Sequence, residues 1–344
     1  MKTKWGVLGA GGIARRRTIP EGIVPADNAV LSCVMTAEPE ITQAVADEFN
    51  CRVCDTEEEL LQSDCDIVYI ATPVHLHCLE AVRAAEAGKH VLCEKPLGLD
   101  VNEAERVVNA CARNGVKLGI GLMMRFHAQH QAALRLVQDG SLGKPVFGRA
   151  QLSCWYPPMD GAWRQDPKTG GGGSLMDMGS HCIDLLEMYF GSVKRVSCMT
   201  QRLVHPYESE DSAVVLLEFQ NGAQGVVDTF FNMPDASSKN RLELYGTQGS
   251  ILAEGTIGQG EIGVMVAHLE GEAKGYEAQQ ERTIDGGMAI TPEPVNMYRA
   301  EVEAFSAAVL NDTPPPVSGE DGLRSQCILA ACYESAATGR AIEV

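Results

Sequence analysis

The chain has 344 residues, of which 45% are hydrophobic and 22% are charged, and this balance is typical of a soluble globular protein rather than a disordered or collagen-like one. Its length predicts two domains of roughly 100–200 residues each. A formal net charge of −18 at pH 7 excludes general binding to nucleic acids or acidic membranes, because their phosphate groups repel such a surface.

Apolar runs stay short of the ~20 residues that span a bilayer, and the chain enters a strand at once without a charged and apolar leader. We therefore expect a cytoplasmic protein. Twelve cysteines, scattered through predicted strands and helices, suit buried thiols in a reducing compartment better than a disulfide framework. Cys51 and Cys54 have metal-like spacing but lack a second close pair, so we expect no metal site.

The first predicted strand, residues 5–8, leads into a glycine-rich turn and then a helix. Gly9, Gly11 and Ala14 give the spacing G-x-G-x-x-A of a dinucleotide-binding fingerprint. Gly9 permits the tight turn, Gly11 lets the backbone approach a pyrophosphate, and the small Ala14 lets helix and strand pack closely. A plain glycine turn is the alternative, but the strand before it and the helix after it favour the fingerprint.

The second predicted strand, residues 30–35, should end near the adenosine ribose of a bound dinucleotide, where an acidic residue favours NAD and a basic one NADP. No arginine follows Thr36, and Glu38 can reach the ribose hydroxyls. Glu38 is equally well explained as a first-turn acid of the helix predicted at 39–49. Arginines at 15–17 could instead help to bind phosphate. The sequence favours NAD, with NADP possible.

Strand and helix patterns then alternate, with strands predicted at 66–71, 90–93 and 116–121 and helices at 75–87 and 100–114. Repeated units of this kind predict a parallel, doubly wound sheet with its ligand crevice at the carboxyl ends of the strands. Gly9, Thr72 and Lys95 all fall on that edge. A lysine at this place, beside a nucleotide site, is a candidate for chemistry.

A different, strand-rich pattern follows a helix predicted at 126–139. Strands predicted at 193–204, 212–219, 223–230, 241–245, 250–253 and 261–268 indicate a large, open and mainly antiparallel sheet. We therefore expect an α/β Rossmann domain at 1–124 and an α+β domain for substrate binding and oligomerisation at 125–344. Amphipathic helices predicted at 297–310 and 320–338 are expected to return to the first domain.

One helix interrupts the strand-rich half and carries two candidate functional residues. Asp177 and His181 are four residues apart, so on a helix they share one face and can point into one crevice. The four glycines at 170–173 would let the backbone lie close to a ligand. A solvated histidine–aspartate pair is the alternative. Trp163 and Arg164 suit stacking on a sugar ring, although core packing explains a tryptophan equally well, Trp155 above all.

The chain resembles the Gfo/Idh/MocA family of oxidoreductases, named for glucose–fructose oxidoreductase, inositol dehydrogenase and a rhizopine-catabolism protein. The resemblance covers nearly the whole chain. It is carried by the N-terminal fingerprint, Ala71-Thr72-Pro73 with His77, residues 88–91 leading into Glu94-Lys95-Pro96, Arg125-Phe126, and the pattern formed by Gly173, Asp177 and His181.

The resemblance implies a catalytic set of Lys95, Asp177 and His181. A histidine can take the hydroxyl proton of a secondary alcohol, and Lys95 would donate to the substrate oxygen while Asp177 orients the site. The expected cofactor-binding residues are Gly9, Gly11, Gly12, Ile13, Ala14, Thr36, Glu38, Ala71, Thr72, Pro73, His77, Glu94 and Lys95. The expected substrate-binding residues are Lys95, Arg125, Trp163, Arg164, Asp177 and His181, with a structural salt bridge as the alternative for Arg125.

The implied function is a nicotinamide-dependent dehydrogenase or reductase that interconverts a secondary hydroxyl and a ketone on a sugar, polyol or related cyclic compound. A non-catalytic dinucleotide or sugar sensor and an NAD-retaining glycosidase are the alternatives. The resemblance also implies a homodimer or homotetramer that pairs through the C-terminal sheet.

Overall fold

Six parallel strands form the first sheet, in the order β3-β2-β1-β4-β5-β6. The computed structural model describes residues 1–270 and 286–344. The strands are β1 (Thr3–Leu8), β2 (Ala29–Met35), β3 (Arg52–Val53), β4 (Ile67–Ile70), β5 (His90–Glu94) and β6 (Leu118–Gly121). The strand order reverses between β1 and β4, and in a doubly wound sheet ligands bind at that point. The predicted Rossmann sheet is confirmed.

Helices on both faces of this sheet follow its strands in turn. They are a π-helical segment (Ala14–Ile23), α1 (Pro39–Phe49), α2 (Glu57–Leu61), α3 (Val74–Glu86) and α4 (Val101–Arg113). In α4, the Asp100 side chain accepts a hydrogen bond from the Glu103 amide at 2.9 Å and caps the first turn. Ala104, Val107 and Cys111 are buried at helical spacing, so this stripe faces the sheet.

Within the described residues the second sheet has nine strands in the order β14-β13-β12-β11-β7-β10-β9-β8-β15 and is mixed but mainly antiparallel, as predicted. Its parallel pair is β7 and β10. The strands are β7 (Pro145–Ser153), β8 (Val193–Gln201), β9 (Ser212–Phe219), β10 (Gln224–Phe230), β11 (Arg241–Gly246), β12 (Gly249–Glu254), β13 (Val264–Leu269), β14 (Met288–Ala289) and β15 (Ile342–Glu343).

Helices cover one face of this second sheet. They include α5 (Ala128–Gln138), the short α6 (Pro167–Gly170) and α7 (Ser180–Phe190), which continues a π-helical turn at Leu175–Gly179. The Phe190 ring meets the Phe219 ring edge-on with centroids 5.5 Å apart. Gly148 in β7 lies against Phe190, and its missing side chain lets α7 approach the sheet closely. This packing fixes the segment that carries Asp177 and His181.

Two helices near the end of the chain reach the first sheet, α8 (Met297–Leu310) and α9 (Gly319–Thr338). Only the beginning of α9 lies on β6, and the rest of that helix packs against β8 of the second sheet. The Trp5 ring meets Phe305 edge-on at 6.1 Å, and its Nε1 donates to the Ser306 hydroxyl at 3.1 Å. A Cβ atom on Gly119 would lie 2.7 Å from the Phe305 ring, so glycine makes room for α8. In the two described ranges, no helix combines the length and the apolar character that a membrane crossing requires.

Candidate active site

A cavity of about 420 Å³ lies between the carboxyl edge of the first sheet and the start of the helical segment 175–190. It brings residues of both halves of the chain together. Its lining consists of Gly12, Ile13, Arg16, Ala71, Thr72, His77, Glu94, Lys95, Met123, Met124, Leu152, Trp163, Arg164, Asp177, Met178, His181, Gly258, Gln259 and Tyr298.

The glycine-rich turn after β1 has the backbone geometry that a dinucleotide requires. Gly9 has a φ of +82°, and a Cβ atom there would lie 2.6 Å from the backbone of Ala71 and Thr72, so only glycine fits. Gly12 faces the cavity with nothing within 4 Å of its Cβ position. Ala14 is buried where the helix meets the strand. The turn therefore leaves room for a pyrophosphate against its backbone, and these residues fit the group.

The end of β2, where the adenosine ribose is expected, lies outside the residues that line the cavity. Glu38 is exposed and precedes α1, but its side chain makes no capping hydrogen bond to that helix. Instead its carboxylate accepts a hydrogen bond from the Thr36 hydroxyl at 3.3 Å. Glu38 thus occupies the N-cap position of α1, where its charge favours the helix dipole without a capping hydrogen bond, and the carboxylate stays accessible beside Thr36.

Of the three consecutive arginines on the first helical segment, one is available to a ligand. Arg15 pairs with Glu48 at 2.9 Å and Arg17 pairs with Glu21 at 2.7 Å. Arg16 lines the cavity and makes no ion pair within residues 1–270 and 286–344. Its guanidinium is therefore the member of the run that can meet a phosphate from the cavity.

His77 supports the wall of the cavity. Its ring nitrogens lie 2.8 Å from the carbonyl oxygens of Thr72 and Pro96, so the ring ties the turn after β4 to the turn after β5. Burial lowers the pKa of His77 from its ordinary value. Pro73, which precedes α3, does not line the cavity. The two His77 contacts hold Thr72 and the turn that carries Lys95 in place.

Lys95 and Asp177 meet across the cavity. The Lys95 ammonium donates to the Asp177 carboxylate at 2.8 Å and to its carbonyl oxygen at 2.5 Å. Arg164 Nε lies 3.0 Å from the same carboxylate oxygen, and its guanidinium stacks over the Trp163 ring at 4.0 Å. Burial raises the pKa of Asp177, but the charges of Arg164 and Lys95 outweigh that effect and hold the pKa well below its usual value.

His181 lies one turn beyond Asp177 and lines the same cavity. Its side chain is buried, and within the described residues its Nδ1 has no hydrogen-bond partner. Burial, together with the nearby Lys95 charge, lowers the pKa of His181 to about 3. The imidazole is therefore neutral at physiological pH and can accept a proton.

The glycine run at 170–173 lies against protein rather than along the cavity. Gly172 faces the Tyr333 hydroxyl, and Gly173 faces the backbone of Glu210, so closely that neither has room for a side chain. None of the four glycines lines the cavity, so the run does not approach a ligand there, and Gly172 and Gly173 instead make room for Tyr333 and Glu210.

Arg125 does not line the cavity. Its guanidinium binds the buried Asp184 carboxylate through Nε at 2.9 Å and reaches Asp321 at 3.1 Å. Asp184 lies in α7 and Asp321 in the first turn of α9, so Arg125 joins two helices. The geometry supports the structural salt bridge over a substrate contact. Trp155 is also absent from the cavity lining, and its side chain is 45% exposed.

Several cavity residues carry no local sequence signal, and Tyr298 is an example. It comes from α8, more than 200 positions after the fingerprint, and nothing local indicates that this helix returns to the cavity. Its hydroxyl is buried without a partner in the described part of the chain. Glu94 beside it accepts a hydrogen bond from the Tyr69 hydroxyl at 2.6 Å. An unpaired buried hydroxyl at the cavity wall indicates a polar ligand there.

The open turn at Gly12 lies where the strand order of a doubly wound sheet reverses, which is where such sheets take a dinucleotide. Acid–base groups on the opposite wall suit a reaction in which a proton moves as a hydride is transferred. The fold and the site thus define a nicotinamide-dependent oxidoreductase. The chain belongs to the Gfo/Idh/MocA family: residues 3–122 match its model "Oxidoreductase family, NAD-binding Rossmann fold", and residues 130–252 match its "GFO/IDH/MocA C-terminal domain".

Named relatives span the whole chain. A 1,5-anhydro-D-fructose reductase of Ensifer adhaerens is 29% identical over 99% of this chain and 98% of its own length. A D-xylose 1-dehydrogenase (NADP(+)) of Haloferax volcanii is 30% identical over 99% of each chain. The crystal structure of an aldose–aldose oxidoreductase from Caulobacter crescentus, complexed with glycerol, superposes with a TM-score of 0.89 at 27% identity over 100% of both chains.

Proposed function

We propose that this oxidoreductase interconverts a secondary hydroxyl and a ketone on a sugar, polyol or related cyclic compound, with Lys95, Asp177 and His181 as its catalytic residues. The observation that carries the proposal is the Lys95 ammonium, held by Asp177 beside the neutral His181 in a cavity that opens onto the Gly12 turn. The names of the relatives, a reductase and a dehydrogenase of sugars, support the substrate class.

In the oxidative direction, the neutral His181 imidazole accepts the proton of the substrate hydroxyl. Lys95 donates a hydrogen bond to the same substrate oxygen and stabilises the negative charge that develops on it. When bound, the nicotinamide ring supplies the hydride acceptor. Asp177 keeps the ammonium aimed into the cavity through its carboxylate and its carbonyl oxygen. In reduction the same groups return the proton.

For the cofactor, we infer that the fingerprint residues Gly9, Gly11, Gly12, Ile13 and Ala14 hold the pyrophosphate, with Arg16 as an added cation. Thr36 and Glu38 would face the adenosine ribose, where a carboxylate disfavours a 2′-phosphate by like-charge repulsion. On the nicotinamide side, the proposed contacts are Ala71, Thr72, Glu94, Lys95 and, among residues that the sequence did not indicate, Tyr298. The proposed cofactor is NAD.

The experiment is a screen of sugars, polyols and sugar acids with NAD and NADP, followed by the absorbance of reduced cofactor. We expect Lys95→Ala to lose at least about a hundredfold in kcat, while its NADH dissociation constant, from fluorescence titration, rises by less than about tenfold because the fingerprint turn still holds the pyrophosphate. Lys89→Ala is the matched control. Lys89 precedes the other end of the same strand, and its ammonium donates to the Ser63 and Cys65 carbonyl oxygens.

The alternatives give different results in the same screen. Near-normal turnover in both Lys95→Ala and His181→Ala would contradict the proposed roles. NADH binding by the wild-type chain without any turnover would indicate a sensor. Release of an aglycone from a glycoside, without net reduction of cofactor, would indicate an NAD-retaining glycosidase.

We also propose that two chains pair through the outer face of the nine-stranded sheet. Met199 and Leu216 are 70% and 56% exposed there, and the half-buried Val214 and Val226 lie beside them on neighbouring strands. An exposed apolar patch of this kind favours association. Light scattering should give a dimer or tetramer for the wild type and a smaller species for Leu216→Lys with Met199→Lys. A wild-type monomer would contradict this proposal.

A further inference from the structure

Glu210 lies two residues before β9, and its buried carboxylate contacts the beginning of the segment that presents Asp177 and His181. Glu210 is 9% exposed. Its Oε2 accepts a hydrogen bond from the Gly173 amide at 2.8 Å, and its Oε1 accepts one from the Leu175 amide at 2.9 Å. The Tyr333 hydroxyl of α9 donates to Oε1 at 3.0 Å. Three donors thus converge on one carboxylate.

The segment needs a partner of this kind because its first amides have no local acceptor. The residue before its first turn, Ser174, makes no capping hydrogen bond, and its hydroxyl donates instead to the Thr229 carbonyl at 3.1 Å. The free amides at the start of a helix carry partial positive charge, and a carboxylate stabilises them. Glu210 therefore supplies from a distant part of the chain what an N-terminal cap usually provides.

The close approach of Glu210 and Tyr333 also explains the neighbouring glycines. A side chain at Gly173 would overlap the Glu210 backbone, and one at Gly172 would overlap the Tyr333 hydroxyl. The Glu210 carbonyl accepts in addition from the Ser174 amide at 3.1 Å. The backbone and the side chain of Glu210 thus accept hydrogen bonds from three consecutive amides, those of residues 173–175. The neighbouring glycines allow this close approach.

A short series of hydrogen bonds connects residues 173–175 to the proposed catalytic lysine. The Gly173 carbonyl accepts a hydrogen bond from the Asp177 amide at 3.0 Å. The Asp177 carbonyl in turn accepts from the Lys95 ammonium at 2.5 Å. A shift of residues 173–175 would therefore move Asp177 relative to Lys95, which belongs to the other sheet.

We propose that Glu210 is a positioning residue for catalysis, which fixes the start of the segment 173–181 so that Asp177 and His181 meet Lys95 in the reactive arrangement. Glu210 does not line the cavity and touches none of the reacting groups. The proposal rests on the proposed function, because it needs Lys95, Asp177 and His181 to be the groups that react.

Glu210→Gln is the informative variant. Glutamine keeps the shape but accepts at one end only, so its amide nitrogen would face the N–H of Gly173 or Leu175. We expect kcat to fall between about tenfold and a hundredfold, because small displacements of reacting groups cost that much, while the NADH dissociation constant stays within about twofold. Hydrogen exchange of the amides at 173–179, followed by mass spectrometry, should become faster.

Two control variants separate positioning from general stability. Glu187→Gln changes a half-buried carboxylate at the far end of α7. This carboxylate accepts from the Val193 amide at 2.7 Å and pairs with Arg324 at 3.3 Å, so the change should affect thermal stability without lowering kcat. Tyr333→Phe removes one donor to Glu210 but leaves both amide bonds, so it should keep kcat within about twofold of wild type.

A Glu210→Gln enzyme with wild-type kcat would overturn the proposal, as would unchanged exchange at 173–179. An equal loss of kcat in Glu187→Gln would also overturn it, since the effect would then be general destabilisation. If the wild-type chain bound NADH and turned over no sugar or polyol, the proposed function would fail. Faster exchange at 173–179 in Glu210→Gln would still show that Glu210 fixes the start of this segment.

Discussion

Lys95 and Asp177 join the two sheets of this protein by a contact of 2.8 Å between ammonium and carboxylate, although 82 positions separate them in the chain. Lys95 follows the carboxyl end of a parallel strand, and Asp177 lies on a helical turn that packs against the mixed sheet. Arg164 shares the same carboxylate oxygen at 3.0 Å, so one anion balances two cations. The arrangement holds the lysine in the cavity and leaves little freedom to its side chain.

Replacing Asp177 by asparagine should impair both turnover and folding. The variant leaves Lys95 and Arg164 facing each other without a counter-charge, and loss of one partner of a largely buried ion pair costs about 3 kcal/mol of unfolding free energy. We expect kcat to fall by roughly a hundredfold or more. Chemical denaturation and steady-state kinetics test this. Asp160→Asn, at an exposed position, is the control, and wild-type kcat in Asp177→Asn would contradict the assignment.

The pH dependence of turnover should reveal the neutral state of His181. Its pKa of about 3 means that the imidazole stays unprotonated above about pH 4. We therefore expect kcat/KM for alcohol oxidation to stay constant between pH 7 and pH 5, whereas a base with the ordinary histidine pKa of about 6.5 would lower it roughly 25-fold over that range. A limb near pH 6.5 that disappears in His181→Asn would contradict this expectation.

Glu80 should make the protein less stable as pH rises towards neutrality. Burial raises the pKa of Glu80 to about 7, against an ordinary value near 4.3, although the Thr72 hydroxyl donates to its carboxylate at 2.5 Å. The folded state then binds more protons than the unfolded state between these two values, so the unfolding free energy falls by up to roughly 3 kcal/mol across that window.

Denaturation curves of Glu80→Gln measured between pH 4 and pH 8 test this pH dependence. The variant should lose most of the slope between pH 4.5 and pH 7, since glutamine does not titrate and can still accept from Thr72. Glu86→Gln, at the exposed end of the same helix, should keep the wild-type slope. Equal slopes in the wild type and Glu80→Gln would show that Glu80 is already ionised at low pH.

Arg125→Met should destabilise the protein without a matching loss of chemistry. The substitution leaves the buried Asp184 carboxylate without its cation, which costs about 3–5 kcal/mol. Because Arg125 lies away from the cavity lining, kcat and KM should stay within about threefold at a temperature where the variant is folded. A selective rise in the substrate KM would instead support the substrate contact that the resemblance implies.

The cofactor preference should depend on Glu38. We expect NADH to bind more tightly than NADPH, because the accessible carboxylate beside Thr36 repels a 2′-phosphate. Glu38→Gln should narrow the ratio of the two dissociation constants by about tenfold, mainly by improving NADPH binding. Glu40→Gln, in the first turn of the same helix, is the control. Tighter binding of NADPH by the wild type would overturn the preference.

Regular patterns made the fold predictable, because periodicity along the chain reports which face of an element is buried. The helix expected at 297–310 is present with those bounds, and the strand expected at 212–219 likewise. The two-residue strands Arg52–Val53, Met288–Ala289 and Ile342–Glu343 escaped prediction because two residues carry no periodicity.

The candidate site was predictable only where its residues follow a strand or share a helical face. Lys95 and His181 have such local signals, and the cavity contains both. Tyr298 and Glu210 have none, since each acts through a contact between segments far apart in the chain. Arg125 has a family motif around it, yet its partners Asp184 and Asp321 become neighbours only when the helices pack.

Because Phe305 packs on Trp5, the first sheet is covered only late in synthesis. The opening strand is made first, but the ring that covers its tryptophan is made some 300 residues later. Until α8 leaves the ribosome, Trp5 and the surface at Gly119 lack the Phe305 ring that covers them. A fragment cut at residue 124 should therefore expose apolar surface and aggregate, and co-expression of residues 286–344 as a separate peptide should increase its yield of soluble protein.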